Sequence, residues 1–225
     1  MPETKVHVVY PAPAPVFRPL PAGPALDAVR CQHRLPDRFI LHVGTLEPRK
    51  NLVRLVEAFG QLRRHDLGFY GLVLVGKRGW RDAAIFAAIE RLGLGDAVRV
   101  LGYIPEETLV SLYNLADALV FPSLYEGFGF PLLEAMACGT PVVTSPQGAL
   151  REIAGDAARF VEPTEVESIA AGLREVLADP AKREELRSKG LAHVPRFRWS
   201  NTAETTRRLY ARVGNGRDHA AAGDA

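Results

Sequence analysis

Cysteine is scarce: the 225 residues hold two, Cys31 and Cys138. They stand far apart and match no metal-ligand spacing, so the expectation is a pair of buried free thiols in a reducing compartment. No apolar run comes near the roughly 20 residues that cross a bilayer. The opening MPETKVHVVY has neither the basic nor the long apolar segment of a signal peptide. These absences set a cytoplasmic expectation. Charge of one sign is lacking as well. The net charge is +2 with both signs spread along the chain, which argues against nucleic acid held on a basic surface. There is no GxxxxGK[ST], and no GxGxxG follows a strand, so a P-loop and the usual dinucleotide fingerprint are excluded. The six histidines show no HExxH spacing. His42 lies inside an apolar strand and reads as a core histidine with its hydrogen bonds satisfied.

What is present is apolar sequence in short, regular pieces. Hydrophobic residues make up 47% of the chain, enough for a sizeable core. Residues 11–36 are rich in proline and alanine and read as a linker or surface arm, so 1–37 is set apart. From residue 38 the pattern changes. FILHVG (39–44), GLVLVG (71–76), AVRVLG (97–102), ALVFPS (118–123), PVVTS (141–145) and ARFVEP (158–163) read as six buried strands. Between them run amphipathic stretches such as Leu52, Leu55, Val56, Phe59 and Leu62 at helical spacing. Thr164 and Glu167 predict a capping box for a helix through Leu177. Residues 180–194 and 201–213 read as helical, and 214–225 as a disordered tail. Continuous apolar strands alternating with helices predict an α/β domain over 38–213. Its sheet is expected to be open, mainly parallel and six-stranded, with helices on both faces. Ligands of such sheets bind outside the carboxyl ends of the strands.

Three segments at that rim carry chemistry. VGTLEPRKN (43–51) places Arg49 and Lys50 where a helix begins, which suits a phosphate; the plainer reading is two solvated charges. YEGFGFPLLE (125–134) sets Glu126 and Glu134 eight positions apart around two glycines and a proline. Glycine lets a backbone approach a ligand closely, and Pro131 suits the first turn of a helix. Amides of Gly127, Phe128 and Gly129 would then face a diphosphate or a sugar hydroxyl. Glu134, placed in the first helical turn, either serves the ligand or complements the helix dipole. Glu126 is either a ligand group or a solvated loop residue. LGYIPEETL (101–109) offers backbone groups of Tyr103 and Ile104 to a base edge, or is an ordinary strand–turn–helix junction.

VGTLEPRKNL, LGYIPEETLVSLYNLADALVFPSLYEGFGFPLLEAMACGTPVVTS and GALREIAGDAARFVEP resemble the C-terminal half of retaining glycosyltransferases of the group 1 type (family 4, GT-B fold). The resemblance runs from about residue 38 to 213 in order. It implies a Rossmann-like domain that binds a nucleotide diphosphate sugar as donor substrate, with no other cofactor and no obligatory metal. On it, Lys50 contacts donor phosphate and Glu126 contacts the donor hexose near the reacting centre. Glu134 accepts hydrogen bonds from the ribose hydroxyls, and Gly127 to Phe130 supply amides. Gly44 lies in the first donor loop. Many members carry an arginine directly after that glycine; here the position is Thr45, and Arg49 either supplies the second cation or is solvated.

The resemblance further implies a partner. VHVVYPAPAPVFRPL is similar to the family's interdomain linker, so an N-terminal acceptor-binding domain is expected to be missing here, and any peripheral membrane contact would come through it. The donor favoured is GDP-mannose over a UDP-hexose. The alternatives are a non-catalytic nucleotide-sugar-binding module and half of a GT-B epimerase.

Overall fold

The computed structural model describes residues 6–65 and 67–221. They divide into two compact units, one of residues 14–194 and one joining the N-terminal residues to 195–221. In the larger unit, strands β1 (Phe39–Val43), β2 (Gly71–Val75), β3 (Val98–Gly102), β4 (Ala118–Phe121), β5 (Val142–Thr144) and β6 (Ala158–Phe160) form one sheet. Their order is β3-β2-β1-β4-β5-β6, and every pairing is parallel. This is the open Rossmann-like α/β sheet expected from the sequence. β1, β2, β4 and β5 are buried almost throughout, as strands covered on both faces must be.

The helices are α1 (Pro24–Gln32), α2 (Leu52–His65), α3 (Ala83–Arg91), α4 (Glu106–Leu115), α5 (Phe130–Cys138), α6 (Leu150–Ala154), α7 (Val166–Ala178) and α8 (Pro180–His193). α2 packs between α3 and α7, and α4 between α1 and α5. Leu55, Val56, Phe59 and Leu62 of α2 join Ile169, Leu173 and Val176 of α7 in the main core, all at most 2% exposed. α8 opens on Asp179, whose carboxylate accepts from the Ala181 amide, with Pro180 in the first turn where a missing N–H costs nothing. The smaller unit holds α9 (Trp199–Ala221). There the Thr202 hydroxyl donates to the Tyr10 carbonyl, and the Tyr10 and Phe197 rings meet edge-on at 5.9 Å. Among the described residues no helix is long and apolar enough to cross a membrane.

Four expectations differ from the structure. The arm at 1–37 is not structureless. Its residues 14–37 belong to the larger unit and contain α1, which Pro24 opens and the single buried Leu26 anchors. One buried residue leaves no periodicity for the sequence to show. The Thr164–Glu167 capping box does not form: Thr164 donates to the Glu162 carboxylate instead, because the shorter loop contact is available first. The tail read as disordered from 214 lies within α9 as far as Ala221, while 222–225 lie outside the described residues. Gly214 and Gly216 weaken a helix but keep the N–H groups of its ladder. Of the two thiols only Cys138 is buried, and burial pushes its pKa up to about 12; Cys31 is exposed on α1.

The carboxyl ends of three strands close with glycines at positive φ: Gly44 at 153°, Gly76 at 144° and Gly102 at 69°. Gly44 N–H donates to Val75 O, and Gly76 N–H to Gly102 O, so the ladder continues past the strands. A Cβ on Gly76 would stand 2.0 Å from the Gly44 carbonyl oxygen. Gly76→Ala is therefore expected to cost about 3 kcal/mol or more through overpacking and left-handed strain. Urea denaturation checks this as a fall in midpoint at unchanged slope.

Candidate functional site

The strand order reverses between β1 and β4. In open α/β sheets the crevice at such a reversal, outside the carboxyl ends, is where ligands bind. β1 and β4 pair only at Ile40–Ala118 and Leu41–Leu119, whereas β1 and β2 stay paired to Val43–Val75. The two strands thus part company beneath the crevice. The loop after β1 carries Arg49 and Lys50, and the loop after β4 carries Glu126.

These three side chains meet. Lys50 Nζ lies 2.6 Å from Glu126 Oε1, and Arg49 Nη1 lies 2.7 Å from Glu126 Oε2. Lys50 and Glu126 are 7% and 8% exposed; the Arg49 side chain is 42% exposed. Lys50 also sits 4.6 Å from the centre of the Phe121 ring face. Arg49 donates further to the Tyr125 carbonyl at 2.9 Å, and its Nε and Nη2 hold Glu47 Oε1. Its backbone carbonyl accepts from Leu124 N–H. Arg49 is thus exposed but not idle: it fastens the Leu124–Glu126 segment to the first loop. Burial pushes the Glu126 carboxyl up, but the Lys50 and Arg49 contacts outweigh it and hold its pKa below the usual carboxylate range.

The loop itself is shaped by close approach. A Cβ on Gly148, at φ 58°, would stand 2.5 Å from the Glu126 carbonyl, and Ala149 N–H donates to that carbonyl at 3.1 Å. Gly129, at φ 116°, caps α5, and a Cβ there would meet Leu150 at 2.8 Å. Gly127 is exposed, and the Phe128 and Phe130 rings pack at 4.9 Å. Glu134 is the fifth residue of α5, one position beyond the first turn where the sequence placed it. The helix starts at Phe130, because Gly129 can take the left-handed cap and Pro131 fits the second helical position. Glu134 accepts the Tyr113 hydroxyl at 2.8 Å. Burial pushes its pKa up, the Tyr113 bond pulls it down and nearby Glu106 pushes it up again, leaving it raised.

Glu106 opens α4 directly after the Tyr103–Ile104 turn, so this turn and Glu134 border the same end of the crevice. Tyr103 is 74% exposed with Lys77 Nζ 5.4 Å from its ring centre, while Ile104 is buried. Gly44 lies against Lys50, and Thr45 is exposed beside it.

Sequence reasoning missed four residues. Asn51, at φ 60°, donates its amide to Pro122 O and Pro163 O and so locks the first loop to the second. Glu47 holds Arg49, Tyr113 holds Glu134, and Gly148 admits the Glu126 backbone. An asparagine directly after two cations was the one signal available for Asn51. His42 was read as satisfied; its Nδ1 meets Val120 O at 3.0 Å, but its Nε2 is buried without a partner. A cavity of about 350 Å³ opens at the opposite end of the sheet, by Asp117, Thr140, Arg183 and Arg187. Its polar groups already serve the fold, since Asp117 pairs with Arg38 and Arg187 donates to Gly139 O.

A parallel sheet of this order, with a cation–carboxylate pair across its switch point and a glycine loop at a helix N-terminus, defines an open Rossmann-like α/β domain with a candidate ligand crevice. The sequence profile described as "Glycosyl transferases group 1" matches residues 29–193, and the chain belongs to that family. It is 41% identical over 172 residues to O-antigen chain mannosyltransferase B of Escherichia coli, covering 76% of this chain and 45% of that one. It is 35% identical over 180 residues to the serotype-specific mannosyltransferase WbdA of the same organism, covering 79% and 22%. The chain thus spans less than half the length of these relatives. Sucrose-phosphate synthase from Thermosynechococcus elongatus superposes with a TM-score of 0.78 at 30% identity, over 92% of this chain and 52% of that one. Anabaena HepE, solved with UDP and glucose, shares the fold at a TM-score of 0.79 and 22% identity, over 91% and 56%.

The ion pair makes a pH-dependent prediction. A carboxyl whose folded pKa is depressed stabilises the fold above its unfolded pKa, and that contribution is lost as pH falls through the folded value. Lys50→Met is expected to destabilise the protein by about 3 kcal/mol at pH 7, because it strips a buried carboxylate of its nearest cation. The difference from wild type should shrink as the pH falls through and below the usual carboxylate range, where the variant's Glu126 takes up a proton before the wild type's does. Urea unfolding at pH 7 and across that range measures it.

Proposed function

We propose that the chain is the donor-binding domain of a retaining glycosyltransferase that moves a hexose, with mannose favoured, from a nucleotide diphosphate sugar to a glycan or lipid acceptor. The observation that carries this reading is the Lys50–Arg49–Glu126 cluster across the β1/β4 switch point. Lys50 takes the diphosphate, helped by the amides of Gly127 to Phe130 and the positive end of α5. Glu126 takes the hexose hydroxyls, and Glu134 takes the ribose. The Tyr103–Ile104 backbone takes the base. As the sugar leaves, charge grows on the nucleoside diphosphate, and cations and amides already in place stabilise it without reorganising. The reading needs no bound metal, since Lys50 and the amides supply the counter-charge. Arg49, tied to Glu126 and Glu47, acts on the loop more than on the phosphate. The names of the E. coli relatives favour mannose.

The proposed partner is an N-terminal acceptor-binding domain facing the crevice, supported by the relatives' greater length. The sugar is transferred only when that domain excludes water from the crevice, which strengthens the electrostatic terms. Any membrane contact is peripheral and belongs to that domain.

Calorimetry at neutral pH tests the donor site. GDP is expected to bind, and more tightly than UDP. Glu134→Ala should weaken nucleoside and nucleoside diphosphate alike, each roughly tenfold to a hundredfold, the loss of one charge-assisted contact. Lys50→Ala should weaken the diphosphate much more than the nucleoside. Equal losses for the two ligands remove Lys50 from the phosphate site, and unchanged affinity leaves Glu134 a partner of Tyr113 alone.

A transfer assay tests the rest. The 225-residue chain alone is expected to show no transfer above background from GDP-mannose. A matching N-terminal domain, fused or added in trans, should restore it, and Glu126→Ala should then abolish it. Robust transfer by the chain alone overturns the need for a partner.

A further inference from the structure

His42 occupies the floor of the crevice. The β1–β4 backbone pairing ends one residue before it, and its ring spans the parting strands: Nδ1 meets Val120 O at 3.0 Å and the ring stacks on Phe121 at 5.6 Å and 15°. A carbonyl can only accept, so Nδ1 carries the proton and Nε2 presents a lone pair. That lone pair is fully buried and has no partner among the described residues. Burial pushes the His42 pKa down to about 4, so the ring is neutral at pH 7. A Cβ placed on Gly44 would stand 3.5 Å from His42 Nε2, 3.5 Å from Lys50 Nζ and 3.1 Å from Lys50 Cε. Both nitrogens therefore border the small space that a side chain at Gly44 would fill.

The ammonium has three N–H donors. In the free protein, Glu126 Oε1 takes one at 2.6 Å, and Arg49 occupies Glu126 Oε2. Both carboxylate oxygens are therefore engaged before any sugar arrives. A sugar hydroxyl that takes the place of Lys50 on Glu126 frees one ammonium N–H, and where that N–H does not turn to the diphosphate it needs another buried acceptor.

We propose that His42 is a positioning residue: its Nε2 is the second acceptor for the Lys50 ammonium and takes it over when Glu126 turns to the bound sugar. The inference rests on the donor-site reading of Lys50 and Glu126. It gives a use to a buried lone pair that nothing else in the fold explains.

Nitrogen-15 NMR of the imidazole tests it directly, because an unprotonated ring nitrogen shifts upfield when it accepts a hydrogen bond. In the ligand-free wild type, Nε2 is expected to resonate as a bare lone pair. Glu126→Ala, still without ligand, is expected to shift it upfield, and adding Lys50→Met to that variant should reverse the shift. Saturating GDP-mannose should move the wild-type resonance in the same direction. His42→Phe keeps a ring on Phe121 and should bind GDP-mannose about threefold to tenfold more weakly, the worth of one hydrogen bond. An Nε2 resonance unmoved by Glu126→Ala overturns the proposal whatever His42→Phe does. Failure of the wild type to bind GDP-mannose or UDP-glucose overturns the donor-site reading and, with it, the handover on ligand binding. The Glu126→Ala comparison still decides the contact between His42 and Lys50.

Discussion

The ion pair between Lys50 and Glu126 ties two loops that leave neighbouring strands 76 residues apart in sequence. Two opposite charges can stay this far from water only if each meets the other with good geometry and finds further partners. Arg49 on the second carboxylate oxygen and the Phe121 ring beneath the ammonium provide them. The loops are thereby held over the point where β1 and β4 separate. What would otherwise be an open slot between two strands becomes a crevice with a charged, water-poor floor.

That contact depends on backbone that side chains must not obstruct. Gly44 and Gly76 carry the strand ends past one another with no Cβ between them, and Gly148 lets the Glu126 carbonyl lie against the next loop. Asn51 adds the opposite constraint: its buried amide joins the first loop to Pro122 and Pro163, so the two sides of the crevice cannot drift apart. Small residues allow close approach, and one well-placed amide converts the approach into a fixed distance.

The two glutamates of the glycine loop end in different environments although α5 links them directly. Glu126 stands between two cations and is held ionised. Glu134 is half-buried with the Tyr113 hydroxyl on it and Glu106 nearby, so its proton is held more tightly. Two carboxyls eight positions apart thus come under opposite influences, cations for one and burial near a second carboxyl for the other.

The sequence by itself determined the sheet, its six strands and the rim on which the site is built. Short apolar runs alternating with amphipathic stretches read as parallel strands, though not every one is covered on both faces: β3, at the sheet edge, leaves Arg99 and Val100 exposed, and the loops that follow the strands lie at one edge. Lys50, Glu126, Glu134 and the glycine loop were legible on that ground, and so was the family. Tertiary structure alone decided which of these side chains touch. Nothing in EPRK says that Arg49 and Lys50 would both reach the Glu126 carboxylate across the crevice, because that depends on where β4 falls beside β1. Nothing in FILHV says that His42 would keep one nitrogen unpartnered, since its neighbours Val120, Gly44 and Lys50 come from three separate places on the fold. Helix α1 was hidden for a related reason: a single buried leucine leaves no period to read. Local pattern fixes what each segment becomes, because backbone geometry and burial act within a few residues. Charge pairing and protonation act across space, and only the folded chain sets those distances.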